Sequence, residues 1–288
     1  MTTVSRMVSS TVWPDPGDRV SVMTALPDEF EAVEHVLGLE AQTGPRPLRV
    51  SVGTLTGTKK RTIVLVGPEE YADPRLANKF NPNTAAQYAR LLAECEPDIC
   101  LYVGVASGVD ERVRIGDVVF GNAIIAYDVG EVMPHSKILV DRAGPNMAYV
   151  TPSSGLLMPD GLRLELNSKL CGFASRRTAQ SDWYGLARRP DGGAPKAVRG
   201  AIASGEKVIK TRSCREYNVF ANMDRNCLAV DMESYGFAQA VRVSFDHDVQ
   251  ALVIRGISDL IEGKEGSKNQ DVAAHHAALF ARAVLEAY

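Results

Sequence analysis

Acidic side chains come shortly after the ends of three apolar runs in this sequence. Glu29, Glu233 and Asp259 each lie within three residues of the point where such a run ends. Carboxyl groups there can move protons at a reacting bond or accept hydrogen bonds from sugar hydroxyls. A single acid in that place more often stabilises a helix N-terminus. Three together predict a pocket lined by carboxylates, because ligands of open α/β sheets bind beyond the carboxyl ends of the strands.

A fourth apolar run, 99–105, offers glycines in place of acids. Gly104 and Gly108 carry no Cβ, so a ligand can approach the backbone closely at this point. The run is almost continuously hydrophobic, which predicts a strand buried on both faces. The sequence contains no GxxxxGK[ST], GxGxxG or GxSxG motif, so a P-loop, a dinucleotide cradle and a nucleophile elbow are not predicted.

Apolar runs rich in β-branched residues alternate with segments of helical periodicity. This alternation predicts an α/β fold with a central mixed, largely parallel, twisted sheet flanked by helices. The predicted strands are 19–26, 48–55, 61–66, 99–105, 117–126, 200–204, 227–231 and 250–256, and the predicted helices are 29–37, 84–94, 162–174, 233–243 and 272–287.

The predicted organisation is one domain, 19–288, preceded by an N-terminal arm, 1–18. Within the domain, 176–199 is predicted to be a long loop, since it is rich in Gly and Pro and lacks periodicity. Its six basic and two acidic residues give it a charge of +4. Together with Lys207, Lys210, Arg212 and Arg215, these charges could hold a phosphorylated ligand. The commoner alternative is a solvated surface loop whose charges do little.

Composition excludes several classes of protein and partner. The 288 residues are 45% hydrophobic and carry a net charge of −3, which is typical of a globular protein and gives no general attraction to nucleic acid or to an anionic membrane. No apolar stretch approaches the roughly 20 residues that span a bilayer. Neither nucleic acid nor membrane is therefore expected as a partner.

The cysteines and histidines form no recognisable metal-binding pattern. There is no CxxC and no HxxxH pair, so neither a metal nor a disulfide framework is expected. An odd number of scattered cysteines instead favours free thiols in a reducing cytoplasm. They are Cys95, Cys100, Cys171, Cys214 and Cys227.

Five motifs resemble those of the nucleoside phosphorylase/nucleosidase superfamily, in family order. The resemblance is closest to the 5′-methylthioadenosine/S-adenosylhomocysteine nucleosidase-like proteins, including the variant found as an effector domain in bacterial defence and signalling proteins. It covers the chain from about Val20 to the C-terminus. The motifs are MTALPDEFEAV (23–33), LYVGVASGVDERVRIGDVVF (101–120), GAIASGEKVI (200–209), AVDMESYGFAQAV (229–241) and VIRGISDL (253–260).

The resemblance implies a role for each matching position. Glu29 matches the catalytic acid that deprotonates the attacking water, and Asp259 matches the acid that protonates the leaving purine. The apolar run 251–254 would bury Asp259 and help to keep it protonated. It also implies no metal or cofactor and a homodimer or larger oligomer. The implied substrate contacts are Ala106 and Ser107 at the sugar, Val208 and Ile209 at the adenine, Met232 and Glu233 at the ribose, and Ser258 beside the acid.

The chain departs from the superfamily pattern at two places. Phosphorolytic members hold phosphate with arginines in the first turn and on the central strand, whereas here the first turn carries Glu29 and the central strand has no basic residue. Water is therefore the expected nucleophile. The segment Glu206–Ile209 also lacks the family's aromatic residue at the adenine. Thioether nucleosides and phosphorylated nucleotides both remain candidate substrates.

The predicted activity is hydrolysis of the base–ribose bond of a purine (adenine-type) nucleoside or nucleotide. Such cleavage passes through an oxocarbenium-like sugar, which a protonated leaving base and nearby negative charge stabilise. One alternative is a phosphorolytic purine nucleoside phosphorylase, which needs a basic residue that folding brings into the pocket. The other is a non-catalytic nucleoside or nucleotide sensor.

Overall fold

The computed structural model describes residues 18–42, 48–68, 85, 96–129, 131–133, 149–151, 155–158, 163–178, 182–244, 249–263 and 266–288. Apart from Asp18 and Ala85, the predicted arm 1–18 and the predicted helix 84–94 lie outside these residues. Cys95 also lies outside them.

Twelve of the described strands form one mixed sheet, and three more form a small separate sheet. Six of the eleven pairings in the large sheet are parallel, which confirms a mixed central sheet. The strands are β1 (Arg19–Met23), β2 (Glu40–Gln42), β3 (Leu48–Thr56), β4 (Lys60–Pro68), β5 (Ile99–Gly108), β6 (Val118–Gly121), β7 (Ala123–Ala126), β8 (Glu131–Met133), β9 (Tyr149–Thr151), β10 (Gly155–Met158), β11 (Arg163–Glu165), β12 (Ala197–Arg199), β13 (Ala201–Ser204), β14 (Cys227–Asp231) and β15 (Gln250–Leu260).

Helices cover both faces of the large sheet. They are α1 (Pro27–Leu37), α2 (Lys169–Thr178), α3 (Arg215–Met223), α4 (Ser234–Ser244) and α5 (Gln270–Ala287), with a 3₁₀ turn, Gly266–Asn269, before α5. Apolar side chains of α1, α2 and α5 pack in one core cluster, and those of α4 pack in another on the opposite face.

The central strand β5 contributes to both cores, as its hydrophobic run predicts. Leu101 and Val103 belong to the cluster beneath α1 and α5, whereas Cys100 and Tyr102 belong to the cluster beneath α4. Side chains of a strand alternate between its two faces, so a strand that is apolar at every position must be covered on both. This burial fixes β5 and its neighbour β15 as the rigid centre of the sheet.

The predicted strand 117–126 is two strands, because the chain changes partners at Asn122. β6 pairs with β12 and β15, whereas β7 pairs with β11 and β13. Asn122 bridges the break through hydrogen bonds in both directions with the backbone of Leu166.

The predicted helix 162–174 begins later than expected. Residues 163–165 pair with β7 as an edge strand, and the helix then runs over Lys169–Thr178. The loop predicted over 176–199 is consequently shorter: 176–178 end α2, and 197–199 form β12. Helix α3 and strands β2, β8, β9 and β10 were not predicted.

The segment 182–196 is fixed to the sheet by a buried ion pair. Arg189 Nη1 lies 3.2 Å from Asp117 Oδ1, and the two side chains are 8% and 1% exposed. Arg189 Nε also donates to Asp191 Oδ1 at 3.1 Å. Within the part of the chain that the structure describes, no helix has both the length and the apolar character needed to cross a bilayer.

Candidate active site

The carboxyl ends of β1, β5, β14 and β15 surround a cavity of about 220 Å³. All nine residues that the sequence analysis assigned to a site line this cavity, together with Lys207, Lys210, Asp231 and Gln270 among others. The nine are Glu29, Ala106, Ser107, Val208, Ile209, Met232, Glu233, Ser258 and Asp259. Positions that are more than 200 residues apart in the chain therefore meet at one place.

Glu29 is buried at the start of α1, where three backbone N–H groups bind its carboxylate. Ala25 and Leu26 donate to Oε2 at 2.8 and 3.0 Å, and Val105 of β5 donates to Oε1 at 2.8 Å. Burial raises the pKa of Glu29, and Arg255 and these N–H groups partly oppose that rise. The result is a fixed carboxylate with a raised proton affinity, which suits a general base.

Arg255 on β15 lies beneath the cavity and is fully buried. Its Nε donates to Asp231 Oδ2 at 2.7 Å, and its Nη2 donates to Ser234 Oγ at 3.2 Å and lies 3.7 Å from Glu233 Oε2. Its Nη1 has no hydrogen-bond partner among the described residues. An unpartnered guanidinium N–H in a buried place is costly, so Nη1 is available to a ligand or a water molecule.

Gly104 makes the close approach of Arg255 to Glu29 possible. A Cβ at this position would lie 2.3 Å from Arg255 Nη1 and 2.5 Å from Glu29 Oε1. The absence of that atom lets both groups reach the same small volume above β5. Arg255 is held there from below by Tyr102, whose ring centroid is 3.9 Å from the guanidinium carbon.

Glu233 and Asp231 supply further negative charge around Arg255. Asp231 accepts hydrogen bonds from the backbone N–H groups of Glu233 and Ser234 and from the Ser234 hydroxyl, and so fixes the turn from β14 into α4. Burial and the neighbouring Asp231 raise the pKa of Glu233 to about 8, although Arg255 opposes this. These same carboxylates raise the pKa of Arg255 despite its burial, so it stays charged.

Asp259 reaches the cavity through a β-bulge. The pairing of β15 with β5 passes from Ile257–Ala106 directly to Asp259–Ser107, which leaves Ser258 as the extra residue. Consecutive residues of a regular strand point to opposite faces, whereas the bulge lets both Ser258 and Asp259 line the cavity.

Three donors hold the Asp259 carboxylate. Oδ1 accepts hydrogen bonds from Ser107 Oγ at 2.8 Å and Ser258 Oγ at 3.1 Å. Oδ2 accepts one from Lys210 Nζ at 2.9 Å. Asp259 is thus buried but paired with the ammonium group of Lys210. The apolar residues before Asp259 in the sequence predicted its burial but not this ion pair.

The segment 205–210 forms the remaining wall. Ile209 is buried, whereas Val208 is 60% exposed at the cavity rim. The Lys207 carbonyl accepts a hydrogen bond from Tyr127 Oη at 2.6 Å, and the Lys207 ammonium pairs with Asp128 and Glu216. Lys207 is therefore neutralised by acids other than Glu29, Glu233 and Asp259.

The sequence analysis missed Arg255 and the pairing of Lys210 with Asp259. The position of Arg255 inside the apolar run of β15 could have revealed it, since arginine is rarely buried without a charged partner. Arg188 and Arg189, which could have held a phosphate, do not line this cavity. Arg188 lies in a separate groove between 182–188 and α5.

Among the described residues, no group of three or more His, Cys, Asp or Glu side chains could hold a metal ion.

Two curated relatives match the chain over different lengths. ATP nucleosidase Cap17 of Escherichia coli is 27% identical over 275 residues, which are 93% of this chain and 50% of that protein. The chain thus spans about half the length of this relative. The 5′-methylthioadenosine/S-adenosylhomocysteine nucleosidase of Mycobacterium bovis is 26% identical over 187 residues, which are 64% of this chain and 68% of that protein.

Solved structures of low sequence identity share the fold. The S-adenosylhomocysteine nucleosidase of Streptococcus pyogenes superimposes with a TM-score of 0.66 at 17% identity, covering 95% of this chain and 98% of that chain. Futalosine hydrolase of Helicobacter pylori gives a TM-score of 0.64 at 16% identity, covering 93% of this chain and 97% of that chain. The central sheet with helices on both faces is therefore the nucleosidase type of α/β fold.

The family model that matches is that of the phosphorylase superfamily, over residues 19–288. This match includes every strand and helix that surrounds the cavity, and it confirms the superfamily that the five motifs predicted. The chain belongs to the phosphorylase superfamily.

Proposed function

We propose that this protein is an N-glycosidase that hydrolyses the bond between adenine and ribose in an adenine nucleotide. The observation that carries the proposal is the convergence of Glu29, Glu233 and Asp259 on one cavity with the free Nη1 of Arg255. A binding protein needs hydrogen-bond partners for its ligand, but it does not need three buried acids at one cavity above a buried arginine, because burying such charges costs free energy.

The proposed nucleophile is a water molecule between Glu29 and Arg255. Glu29 accepts the water proton while the water oxygen bonds to the anomeric carbon, and Arg255 Nη1 orients the water by donating to its oxygen. Both groups reach the same volume because Gly104 leaves it open. A nucleophile placed in this way removes much of the entropic cost of the bimolecular step.

Asp259 and Glu233 act on the other parts of the substrate in this proposal. Asp259 gives its proton to N7 of the purine, so that the pair of electrons in the broken bond leaves with a neutral base. Glu233 accepts hydrogen bonds from the ribose hydroxyls, and its charge stabilises the oxocarbenium-like sugar. Met232, Ala106 and the backbone near Ser107 would contact the sugar, with Val208 and Ile209 beside the base.

The charge around Arg255 favours water over phosphate as the nucleophile. Folding does bring an arginine, Arg255, to a buried place beneath the cavity. However, Arg255 already faces Asp231 and Glu233, and it lies close enough to Glu29 to affect the pKa of that acid. A phosphate dianion there would meet three acidic side chains and one guanidinium, and the balance becomes more unfavourable as Glu233 ionises.

The relatives support an adenine nucleotide as the substrate. By sequence, ATP nucleosidase Cap17 matches 93% of the chain, whereas the 5′-methylthioadenosine/S-adenosylhomocysteine nucleosidases of Buchnera aphidicola and Mycobacterium bovis match 66% and 64% of it. The rim of the cavity also carries an exposed lysine, Lys210, and no aromatic side chain at Val208. A homo-oligomer and a reducing cytoplasmic location stay predictions.

Chromatographic product analysis tests the proposal. The protein is incubated with ATP, AMP, adenosine, methylthioadenosine and inosine, each with and without inorganic phosphate. We expect free adenine and the corresponding ribose product from ATP without phosphate, and no release by Asp259→Asn. Ribose 1-phosphate formed only with phosphate would indicate a phosphorylase. Tight binding without cleavage would indicate a sensor, and either result would contradict the proposal.

A further inference from the structure

Lys210 is the lysine of the cavity whose ammonium group is paired with one of the three proposed acids. Its Nζ lies 2.9 Å from Asp259 Oδ2, and the two side chains are 61% and 12% exposed. The Lys210 carbonyl accepts a hydrogen bond from the backbone N–H of Glu262 at 3.2 Å. The backbone of Lys210 is thus anchored, whereas its four-carbon stem can turn.

The ion pair opposes the chemistry that Asp259 is proposed to perform. A cation at hydrogen-bond distance favours the ionised form of a carboxylate. The hydroxyls of Ser107 and Ser258 both donate to the other oxygen of Asp259, Oδ1, so both oxygens are occupied. Protonation of the leaving base, however, requires Asp259 to carry a proton. Something must therefore remove Lys210 from Asp259 before the base can leave.

We propose that a phosphate group of the substrate draws Lys210 away from Asp259, so that Lys210 restricts efficient cleavage to phosphorylated substrates. This inference rests on the proposed function and names the feature of the substrate that the site selects. A phosphate offers more negative charge and more acceptor oxygens than a carboxylate that two hydroxyls already bind, so it competes well for an exposed ammonium group.

The exchange changes the charge next to Asp259 in a favourable direction. Departure of the ammonium group frees Oδ2 of Asp259 for the leaving base, and the phosphate brings negative charge into the same cavity. The freed oxygen can then carry the proton that passes to the leaving base. A nucleoside without phosphate would leave the ion pair in place and would be cleaved slowly. In this account Lys210 is a positioning residue that acts through Asp259.

Lys207 provides a matched control at the same rim. Its ammonium group lies 2.9 Å from Glu216 and 3.3 Å from Asp128, and its side chain is 58% exposed, close to the value for Lys210. Lys207→Met removes the same charge from the cavity without releasing Asp259. We therefore expect no gain in adenosine cleavage from this variant.

The test compares kcat and KM for adenine release from ATP and from adenosine in the wild type, Lys210→Met and Lys207→Met. For Lys210→Met we expect kcat/KM with ATP to fall about tenfold, the equivalent of one charge-assisted contact. We expect kcat with adenosine to rise, by about threefold or more, since Asp259 is no longer held. Lys210→Gln should reproduce both changes, and melting temperatures equal to that of the wild type would establish that the variants are folded.

The opposite signs of the two changes separate this role from simpler ones. A parallel fall with both substrates would mean that Lys210 is only a structural clamp, and a fall with ATP alone would mean that it only binds phosphate. Either result overturns the inference while leaving the proposed function intact. A wild type that releases no base from either substrate would overturn both.

Discussion

Two arginine–aspartate pairs are buried in the part of the chain that the structure describes, and their surroundings differ. Arg189 with Asp117 fixes the segment 182–196 to the sheet, and every polar atom of the Asp117 carboxylate has a partner, since backbone N–H groups of Arg114 and Lys196 bind it as well. Arg255 with Asp231 lies below the cavity, with Glu233 nearby and with Nη1 free of any partner among the described residues.

The difference shows how to distinguish a structural pair from a functional one. A structural pair is balanced, because a buried charge without compensation destabilises the fold. The pair at the cavity has an excess of negative charge and an unfilled hydrogen bond, and both are costs that a bound ligand or water could offset. Residual imbalance, and not burial alone, therefore distinguishes the pair at the cavity from the structural pair.

The largest effect is expected from changing the geometry of the pair at the cavity. Arg255→Lys keeps the positive charge among the carboxylates but loses the planar fork that reaches Asp231, Ser234 and the proposed water together. We expect kcat for adenine release to fall about 10²–10³-fold, as when one preorganised donor is removed from an active site. Steady-state kinetics and circular dichroism check this, and activity within threefold of the wild type would contradict it.

A smaller effect is expected from the charge state of Glu233. Burial and Asp231 raise its pKa to about 8, so this acid is protonated below that pH and ionised above it. If the ionised form binds the ribose, kcat/KM should increase with pH through about 8 and reach a plateau above it. One pH unit below the pKa, kcat/KM should be roughly tenfold lower than the plateau value.

The decrease of kcat/KM toward low pH is the acidic limb of the profile. Glu233→Gln should remove this limb and lower the plateau, since glutamine cannot ionise. The pH profile of kcat/KM for both proteins between pH 5.5 and 9 provides the measurement. A wild-type profile that is flat from pH 6 to 8, or a variant that retains the limb, would show that another group controls it.

Breaking the structural pair should affect stability and leave the chemistry nearly intact. Arg189→Met leaves Asp117 with its two backbone donors, so we expect a loss of about 2 kcal/mol in the free energy of unfolding. This corresponds to a decrease in Tm of about 4–8 °C. Adenine release per folded molecule should stay within about twofold. A tenfold loss of activity at unchanged Tm would reverse the assignment of the two pairs.

The smallest effect is expected from removing the Tyr102 hydroxyl. This buried group has no hydrogen-bond partner in the described part of the chain, whereas the ring packs on Arg255 and stacks with Phe237. Tyr102→Phe should keep activity within about twofold and leave Tm equal or higher, because an unsatisfied polar atom is lost. Tyr102→Leu should lower kcat about tenfold with little change in KM, since Arg255 loses its support. Equal losses in both variants would assign the role to the hydroxyl.

Much of the architecture could be predicted from periodicity alone. The predicted strands at 48–55, 99–105, 227–231 and 250–256 all lie within observed strands or match their bounds. The exceptions arose where tertiary pairing overrode local pattern. Residues 163–165 were expected in a helix and instead pair with β7 as a short edge strand, which a helical spacing of apolar residues cannot reveal.

The sequence by itself determined which residue types stand at the strand ends and in what order. Because the carboxyl ends of neighbouring strands meet at one edge, this was enough to place Glu29, Glu233 and Asp259 in a single cavity. Only the tertiary structure decided what each acid faces. Lys210 meets Asp259 across 49 residues, and Arg255 meets Asp231 across 24. Such pairings depend on the bulge at Ser258 and on the open space at Gly104. Local propensity carries no information about either, since both arise from the way that separate strands pack together.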